Sequence, residues 1–400
     1  MGNRLSVPSK ALQLVLVGPN SSFKASRIQK ASLGATIPDT VVDEIGNSAH
    51  VGLSKDTPDV TVSFDAFDTG IKIFSVLTGN NAAAYPAGGV DISNLSAIDA
   101  IFYIKSDVAA TMVRCAHARR LQIRDFAYSY SVTGDSTETY TAVGSERRWF
   151  TNNVIVDAFT TGTTFTLTQI PIQLRNGNYA LSVIVDGKYL SEISTAPTTG
   201  SGSYRLNGTS NKTLTLGDAA TTSVLVVYQT ANSLAWTDVS DVSAGPPAVK
   251  GKDVNVLISA NQIPRVQSVT INGTMNIQSV TEMGNKAKIA GYQNQVPTID
   301  GTLTVLDKDA DLISLLTYGV IGSGIEWQPG EGCVTTPLSL KIQITDPCVT
   351  TVPYSTLKTI YLSSITMTGD TYSVSVNGNA STAFTFKSAD SHCYIYSGAY

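Results

Sequence analysis

Charge is scarce in this 400-residue chain. Asp, Glu, Lys and Arg make up only 14% of it and sum to a formal net charge of −4, so no global basic field exists to hold nucleic acid by its phosphates. Histidine is scarcer still, with His50, His117 and His392 the only three. None belongs to a His-Glu-x-x-His pair, and there is neither a Gly-x-Ser-x-Gly turn nor a phosphate-binding loop ending in Gly-Lys-Ser/Thr. Catalysis therefore finds no support in motifs, and the histidines read as polar surface or interface residues.

The four cysteines, Cys115, Cys333, Cys348 and Cys393, are too widely spread for a disulfide framework or a paired zinc site. They read as free thiols of a reducing compartment, with a short loop closed by Cys333 and Cys348 as the alternative. Long apolar runs are missing too. Met1-Gly2-Asn3-Arg4 leads only to the stretch Leu12 to Val17, too short to span a membrane and without a cleavage pattern, so no targeting or membrane segment is expected. The sequons at Asn207, Asn211 and Asn272 then carry no weight. Asp307-Lys308-Asp309-Ala310-Asp311 opens like a calcium loop but has Leu312 and Tyr318 where Gly and Glu are needed, and helix capping explains its acids better. No metal or cofactor is expected.

What the chain does have is Thr, Ser, Val and Gly in short alternating stretches, which predicts a mainly β protein. It also repeats itself. Residues 26–31, 44–51, 58–78 and 126–141 align in order with 264–269, 282–289, 297–317 and 370–385, sharing Arg-x-Gln at Arg27 and Arg265 and Glu-x-Gly-Asn at Glu44 and Glu282. A tandem duplication is the reading. In the first copy Val60, Val62 and Phe64 alternate with Thr61, Ser63 and Asp65; in the second Ile299, Leu303 and Val305 alternate with Asp300, Thr302 and Thr304. Each strand thus has one core face and one small polar face. Asp68 and Asp307 follow as expected N-caps of short helices, stopped by Gly79 and Gly319. Later strands put Ser129 and Ser131, or Ser373 and Ser375, opposite in phase to Tyr128 and Tyr130, or Tyr372 and Val374, and hairpins follow at Gly134 and Gly378.

These features divide the chain into a first β domain with one short helix (1–152), an insert (153–230), a linker (231–252) and a second such domain (253–400). The insert has short strands of its own, with Asp186-Gly187 as a hairpin turn, and the size of an immunoglobulin-like β-sandwich. Arg114, Arg119, Arg120 and Arg124, with Arg147-Arg148, form the densest basic region. It reads as a nucleic-acid patch or, better, as an intersubunit surface facing Asp43, Glu44 or Asp99, since the second copy replaces most of these residues with Leu357, Lys358 and Thr359.

The order Arg-Ile/Val-Gln, Glu-x-Gly-Asn, Pro before an alternating strand, a short helix and a closing hairpin around Val-x-Gly-Asp/Asn resembles the tail tube proteins of long-tailed bacteriophages. The resemblance covers both copies. It implies two fused tube-like β-sandwich or barrel domains, three chains in a pseudo-hexameric ring, and rings stacked into a hollow conduit for DNA delivery, with a displayed central insert. Implied partners are other copies of the chain, a tape-measure protein, tail terminator and distal tail proteins, and a sheath in contractile tails; DNA is met only in transit. The implied location is the virion tail, with the host cytoplasm during assembly. Arg27, Glu44, Arg265 and Glu282 join Arg114, Arg119, Arg120 and Arg124 as candidate intersubunit residues. Thr61, Ser63, Asp65, Asp300, Thr302 and Thr304 are candidates for the lumen face, in competition with the Ser129 and Ser373 strands. A fibre adhesin that binds host glycan through the insert is the alternative, and a polysaccharide depolymerase lacks a carboxylate pair.

Overall fold

The computed structural model describes residues 9–45, 50–105, 111–151, 153–207, 211–232, 248–259, 261–280, 283, 289–293, 296–306, 338–349, 355–374 and 379–398. The protein is mainly β. The first copy holds β1 (Leu12–Val17), β2 (Ser22–Lys24), β3 (Ile28–Thr36), β4 (Asp39–Val42), β5 (Gly52–Lys55) and β6 (Asp59–Phe67). The helix α1 (Lys72–Thr78) follows, then β7 (Val90–Asp91), β8 (Ile98–Lys105), β9 (Met112–Ser131), β10 (Thr137–Gly144) and β11 (Glu146–Phe150). The insert holds β12 (Asn153–Phe159), β13 (Gly162–Thr166), β14 (Ala180–Val185), β15 (Lys188–Tyr189), β16 (Ser191–Glu192), β17 (Ser203–Asn207), β18 (Thr213–Ala220) and β19 (Val224–Thr230). The second copy holds β20 (Val254–Ile258), β21 (Asn261–Gln262), β22 (Val266–Thr274), β23 (Ile277–Val280), β24 (Ile289–Gln293) and β25 (Thr298–Val305). It ends with β26 (Leu338–Thr345), β27 (Thr356–Ser373), β28 (Ser381–Ser388) and β29 (Tyr394–Ser397).

The two copies pair their strands in the same way. β1–β8, β8–β9, β9–β10, β10–β6 and β6–β3 recur as β20–β26, β26–β27, β27–β28, β28–β25 and β25–β22. Even the irregularities recur. The β9–β10 ladder slips between Thr141 and Ala142, and its counterpart slips between Met367 and Gly369. Arg27 and Arg265 both take left-handed backbone, at φ 57° and 60°, uncommon for a side-chain-bearing residue. The carbonyls they turn aside accept Phe67 N–H and Gln29 Nε2 in one copy, Leu306 N–H and Gln267 Nε2 in the other. The shared Arg-x-Gln motif is thus a bulge that stores its own hydrogen bonds.

Between the copies the sheet does not stop. β9 pairs with β22, Ser131 opposite Ser268 through Asp125 opposite Thr274. The result is one antiparallel sheet in the order β3–β6–β10–β9–β22–β25–β28–β27, over a single apolar core to which both copies contribute Val62, Phe64, Phe126, Ile271, Leu303 and Phe384. The insert is a sandwich of two four-stranded sheets with its own core around Leu214, Val226 and Tyr228. Asp186 and Gly187, at φ 48° and 79°, turn β14 into β15 as the Asp-Gly pair predicts.

The insert also decides how β1 reads in sequence. Leu14 and Leu16 face the main core, while Val15 and Val17 join Ile101, Tyr103 and Cys115 against Leu181, Ile184, Leu225 and Val227 of the insert. A strand buried on both faces is a continuous apolar run. At the matching register of the second copy, Ile101 and Tyr103 become Lys341 and Gln343, because the insert covers only the first copy's outer sheet. The buried thiols follow the same packing: burial pushes Cys115 up to about 12 and raises Cys393. Cys348 is exposed, while Cys333 lies outside the described residues, as does the calcium-like segment. No helix among the described residues is long and apolar enough to cross a membrane.

One expectation fails for a physical reason. Asp68 does not cap α1, whose N-cap is Ile71 with no side-chain bond; the expected stop at Gly79 does occur, at φ 69°. Asp68 is instead wholly buried at the join of the copies, accepting bonds from Tyr130 Oη at 2.6 Å and from Lys358 Nζ, on β27, at 2.8 Å. Lys358, also wholly buried, lies 3.6 Å from Glu138 and 4.2 Å from the Tyr128 ring centre. Tyr140 Oη donates to Glu138 at 3.0 Å. One ammonium cannot neutralise two buried carboxylates. Burial raises Glu138 to about 8, with Asp68 adding to the rise and Lys358 opposing it. The counterpart of Asp68, Asp307, and the expected second helix lie outside the described residues.

Removing the cation leaves charge stranded in the core. Lys358→Ala is expected to lose about 3–5 kcal/mol of unfolding free energy in denaturant melts, whereas Arg114→Ala, at the matching but exposed position of the first copy, stays within about 0.5 kcal/mol. Glu138 binds a proton more tightly in the folded chain than at its ordinary 4.5. Its contribution is therefore complete below pH 4.5 and is lost as pH rises through about 8, at up to about 1.4 kcal/mol per unit. Glu138→Gln should flatten that slope, and equal slopes in both proteins would refute the assignment.

Candidate functional site: an open sheet with two free edges

The small polar residues of both copies share one face of the long sheet. Pairing places Ser63 opposite Thr141, Thr137 opposite Ser129, Ser129 opposite Thr270, and Thr270 opposite Thr302. Opposed residues in antiparallel strands point the same way. Thr61, Ser63, Asp65, Asp300, Thr302 and Thr304 therefore do not compete with Ser129, Ser131 and Ser373 for one side; all belong to it. Ser375 lies outside the described residues. Hydroxyls bridge strands at matching places, Ser32 to Ser63 at 2.7 Å and Thr270 to Thr302 at 2.6 Å. The charge on this face is nearly balanced rather than repulsive. Lys30 stands opposite Asp65 and Lys387 opposite Asp300, and Asp125 is paired with Arg124 Nε at 2.7 Å.

Among the described residues the sheet ends in two unpaired edges. Along one runs β3, paired only with β6; along the other runs the last part of β27, paired only with β28. Their counterparts, β22 and the last part of β9, are the strands that pair with each other inside the chain. The missing neighbour shows in burial: Tyr128 and Tyr130 on β9 are at most 2% exposed, whereas Tyr372 on β27 and Val374 just after it are 62% and 69% exposed. A third uncovered surface is the hairpin of β4 and β5. Among the described residues these strands pair only with each other, all four β4 residues are exposed, and Ile45 near the tip has full exposure. Met283 occupies the corresponding place after β23 and is equally uncovered.

The expected intersubunit residues fall into separate places. Arg119 and Arg120 face the insert, not the outside. Arg119 donates to Ser182 at 3.0 Å and pairs with Glu146 at 3.4 Å, and the Arg120 guanidinium sits 5.1 Å from the Tyr189 ring centre. Asp99, expected as an acid across a subunit boundary, is buried in the same seam, accepting bonds from His117 Nε2, Arg120 N–H and Tyr189 Oη. Burial works against its charge, but His117 and the hydrogen bonds hold its carboxyl below the usual range. His117 is thus buried at an intrachain interface, not a surface residue. Arg27 bonds Thr69 Oγ1 within the chain. Arg114 and Arg124 are exposed, as is Glu44; Asp43 pairs with His50. Glu282 lies outside the described residues.

Sequence reasoning missed Lys358, reading it only as a substitute for one of the arginines. The alignment held the signal, since Lys358 takes the place of Arg114 and β27 follows β9 throughout, but nothing in it showed that Asp68 and Glu138 would be carried to the join. The chain matches no family model and no curated protein.

Proposed function

We propose that the chain is a structural subunit that polymerises by edge pairing, three chains closing a pseudo-sixfold ring and rings stacking into a hollow tube. This is the role of the phage tail tube proteins that its motifs resemble. The observation that carries the proposal is the β9–β22 ladder. The chain already joins its two copies through one such ladder, and the two edges unpaired among the described residues would form a second ladder of the same kind between chains. Unpaired edges are a hazard in a monomer and a means of assembly in a polymer. A head-to-tail contact of this kind closes into a ring when its rotation allows.

The polar face then forms the inner wall. Small hydroxyls bonded to one another, with carboxylates and lysines balanced across strands, offer passing DNA no cationic track. The β4–β5 hairpin supplies contacts between rings, because a lone two-stranded hairpin with apolar residues in water is marginal until something covers it. In a virion such a tube would surround a tape-measure protein and meet terminator and distal tail proteins at its ends.

The ladder fixes a register. Thr270 opposite Ser129 inside the chain translates to Ser32 of one chain opposite Ser373 of the next. Directly opposed Cα atoms lie about 4.5–5.5 Å apart, within disulfide reach. A Ser32→Cys, Ser373→Cys variant in a Cys333→Ser, Cys348→Ser background should therefore oxidise into covalent dimers and closed trimers on non-reducing gels. Monomer alone, under conditions where the protein assembles, would count against the reading. Ile45→Asp with Met283→Asp should leave rings intact but abolish tubes in negative-stain micrographs, and tubes of normal length would remove the hairpins from ring stacking.

A further inference from the structure

Where the insert lies over the outer sheet of the first copy, a cleft of about 220 Å³ opens between them, lined almost wholly by polar atoms. Its floor is Arg119, Arg120 and Arg148; its other wall is the turn carrying Asn176 and Asn178, with Glu192. Three carboxylates stand near these cations, and each already has its own partners. Glu146 is paired with Arg119. Glu192 accepts from the amides of Tyr179 and Ala180 and from Tyr204 Oη. Asp99 is occupied by His117, Arg120 N–H and Tyr189 Oη. On the donor side, Arg120 Nε is buried without an acceptor, and Arg148 has no side-chain partner among the described residues. A buried donor left unpaired forfeits the water it gave up on burial without a bond in return. Arg120 also takes left-handed backbone, at φ 51°, and the Tyr189 ring lies beside both Arg119 and Arg120, which holds the guanidinium planes in place. Burial and the neighbouring Arg119 cation depress the Arg120 guanidinium, against the pull of Glu146 and Asp99.

We infer that this cleft binds a small ligand through an oxyanion held by Arg120 and Arg148. Planar guanidinium forks match carboxylate and phosphate oxygens in a way that a lysine would not. Asn176 and Asn178 stand where they can meet hydroxyls on the remainder of the ligand. That suits the carboxylate of an acidic sugar unit, with a phosphate group as the other source of the same chemistry. The site belongs to the insert seam and owes nothing to the free edges, so it stands or falls separately from tube assembly.

Titration calorimetry on the full chain tests it, with sodium glucuronate, glucose and inorganic phosphate as probes. The expected result is saturable binding of glucuronate, none of glucose, and loss of more than about tenfold in affinity in Arg148→Ala, since a charge-assisted bond is worth about 1.5–3 kcal/mol. Phosphate bound as tightly as glucuronate, and unaffected by Asn176→Ala, marks a bare oxyanion site. Glucuronate preferred, and weakened by Asn176→Ala, marks an acidic sugar. Arg148→Gln, which keeps part of the aliphatic stem and a polar tip but removes the charge and the guanidinium fork, serves if the alanine variant does not fold. Absence of saturable binding by either anion, or binding undiminished in both Arg148 variants, would overturn the inference.

Discussion

The β9–β22 ladder is the interaction on which the rest of the molecule depends. Backbone N–H and C=O groups at a strand edge must find partners, and here the edge left by one copy is taken up by the other. That single ladder turns two four-stranded sheets into one, merges their cores, and sets the Ser and Thr rows of both copies on a common face. It also brings β27 over the first copy, so that Lys358 enters a space lined by Asp68, Glu138 and three tyrosines. The ladder specifies orientation, and the buried charges make any other register costly, because each would be stranded if β27 slipped.

The repeated strand order leaves the sheet paired at its middle and, among the described residues, open at its ends. One edge pairing is made internally; among the described residues β3 and the end of β27 have no second neighbour, with Leu33, Tyr372 and Val374 beside them. The two copies differ according to what covers them. The first copy's outer sheet carries Val15, Val17, Ile101 and Tyr103 under the insert. The second keeps Lys341 at the matching register, over the Tyr85 ring at 4.7 Å. At the join, the matched pair Lys358 and Arg114 parted in the same way, one wholly buried against carboxylates and the other exposed.

Much of this was legible in residues. Alternation at Val60, Val62 and Phe64, the Asp-Gly turn at 186 and the glycine stop at 79 are local signals, each acting within a few residues, and they appear where the local chemistry puts them. Asp68 shows where such reasoning ends. A carboxylate just before a helical stripe is a good cap by local rules, yet a lysine 290 positions away claimed it. The same holds for Arg119 and Arg120: a run of arginines reads as a surface, and their insertion beneath Tyr189 depends on how the insert docks.

The sequence by itself determined the strand elements, the existence of two copies and the two faces of each strand, because periodicity of two and turn chemistry are properties of neighbouring residues. Only the tertiary structure decided that the copies share one sheet, which edges stay open, and which charges are buried together. Those outcomes rest on contacts between residues far apart in the chain, where pairing and desolvation are settled by what arrives from elsewhere.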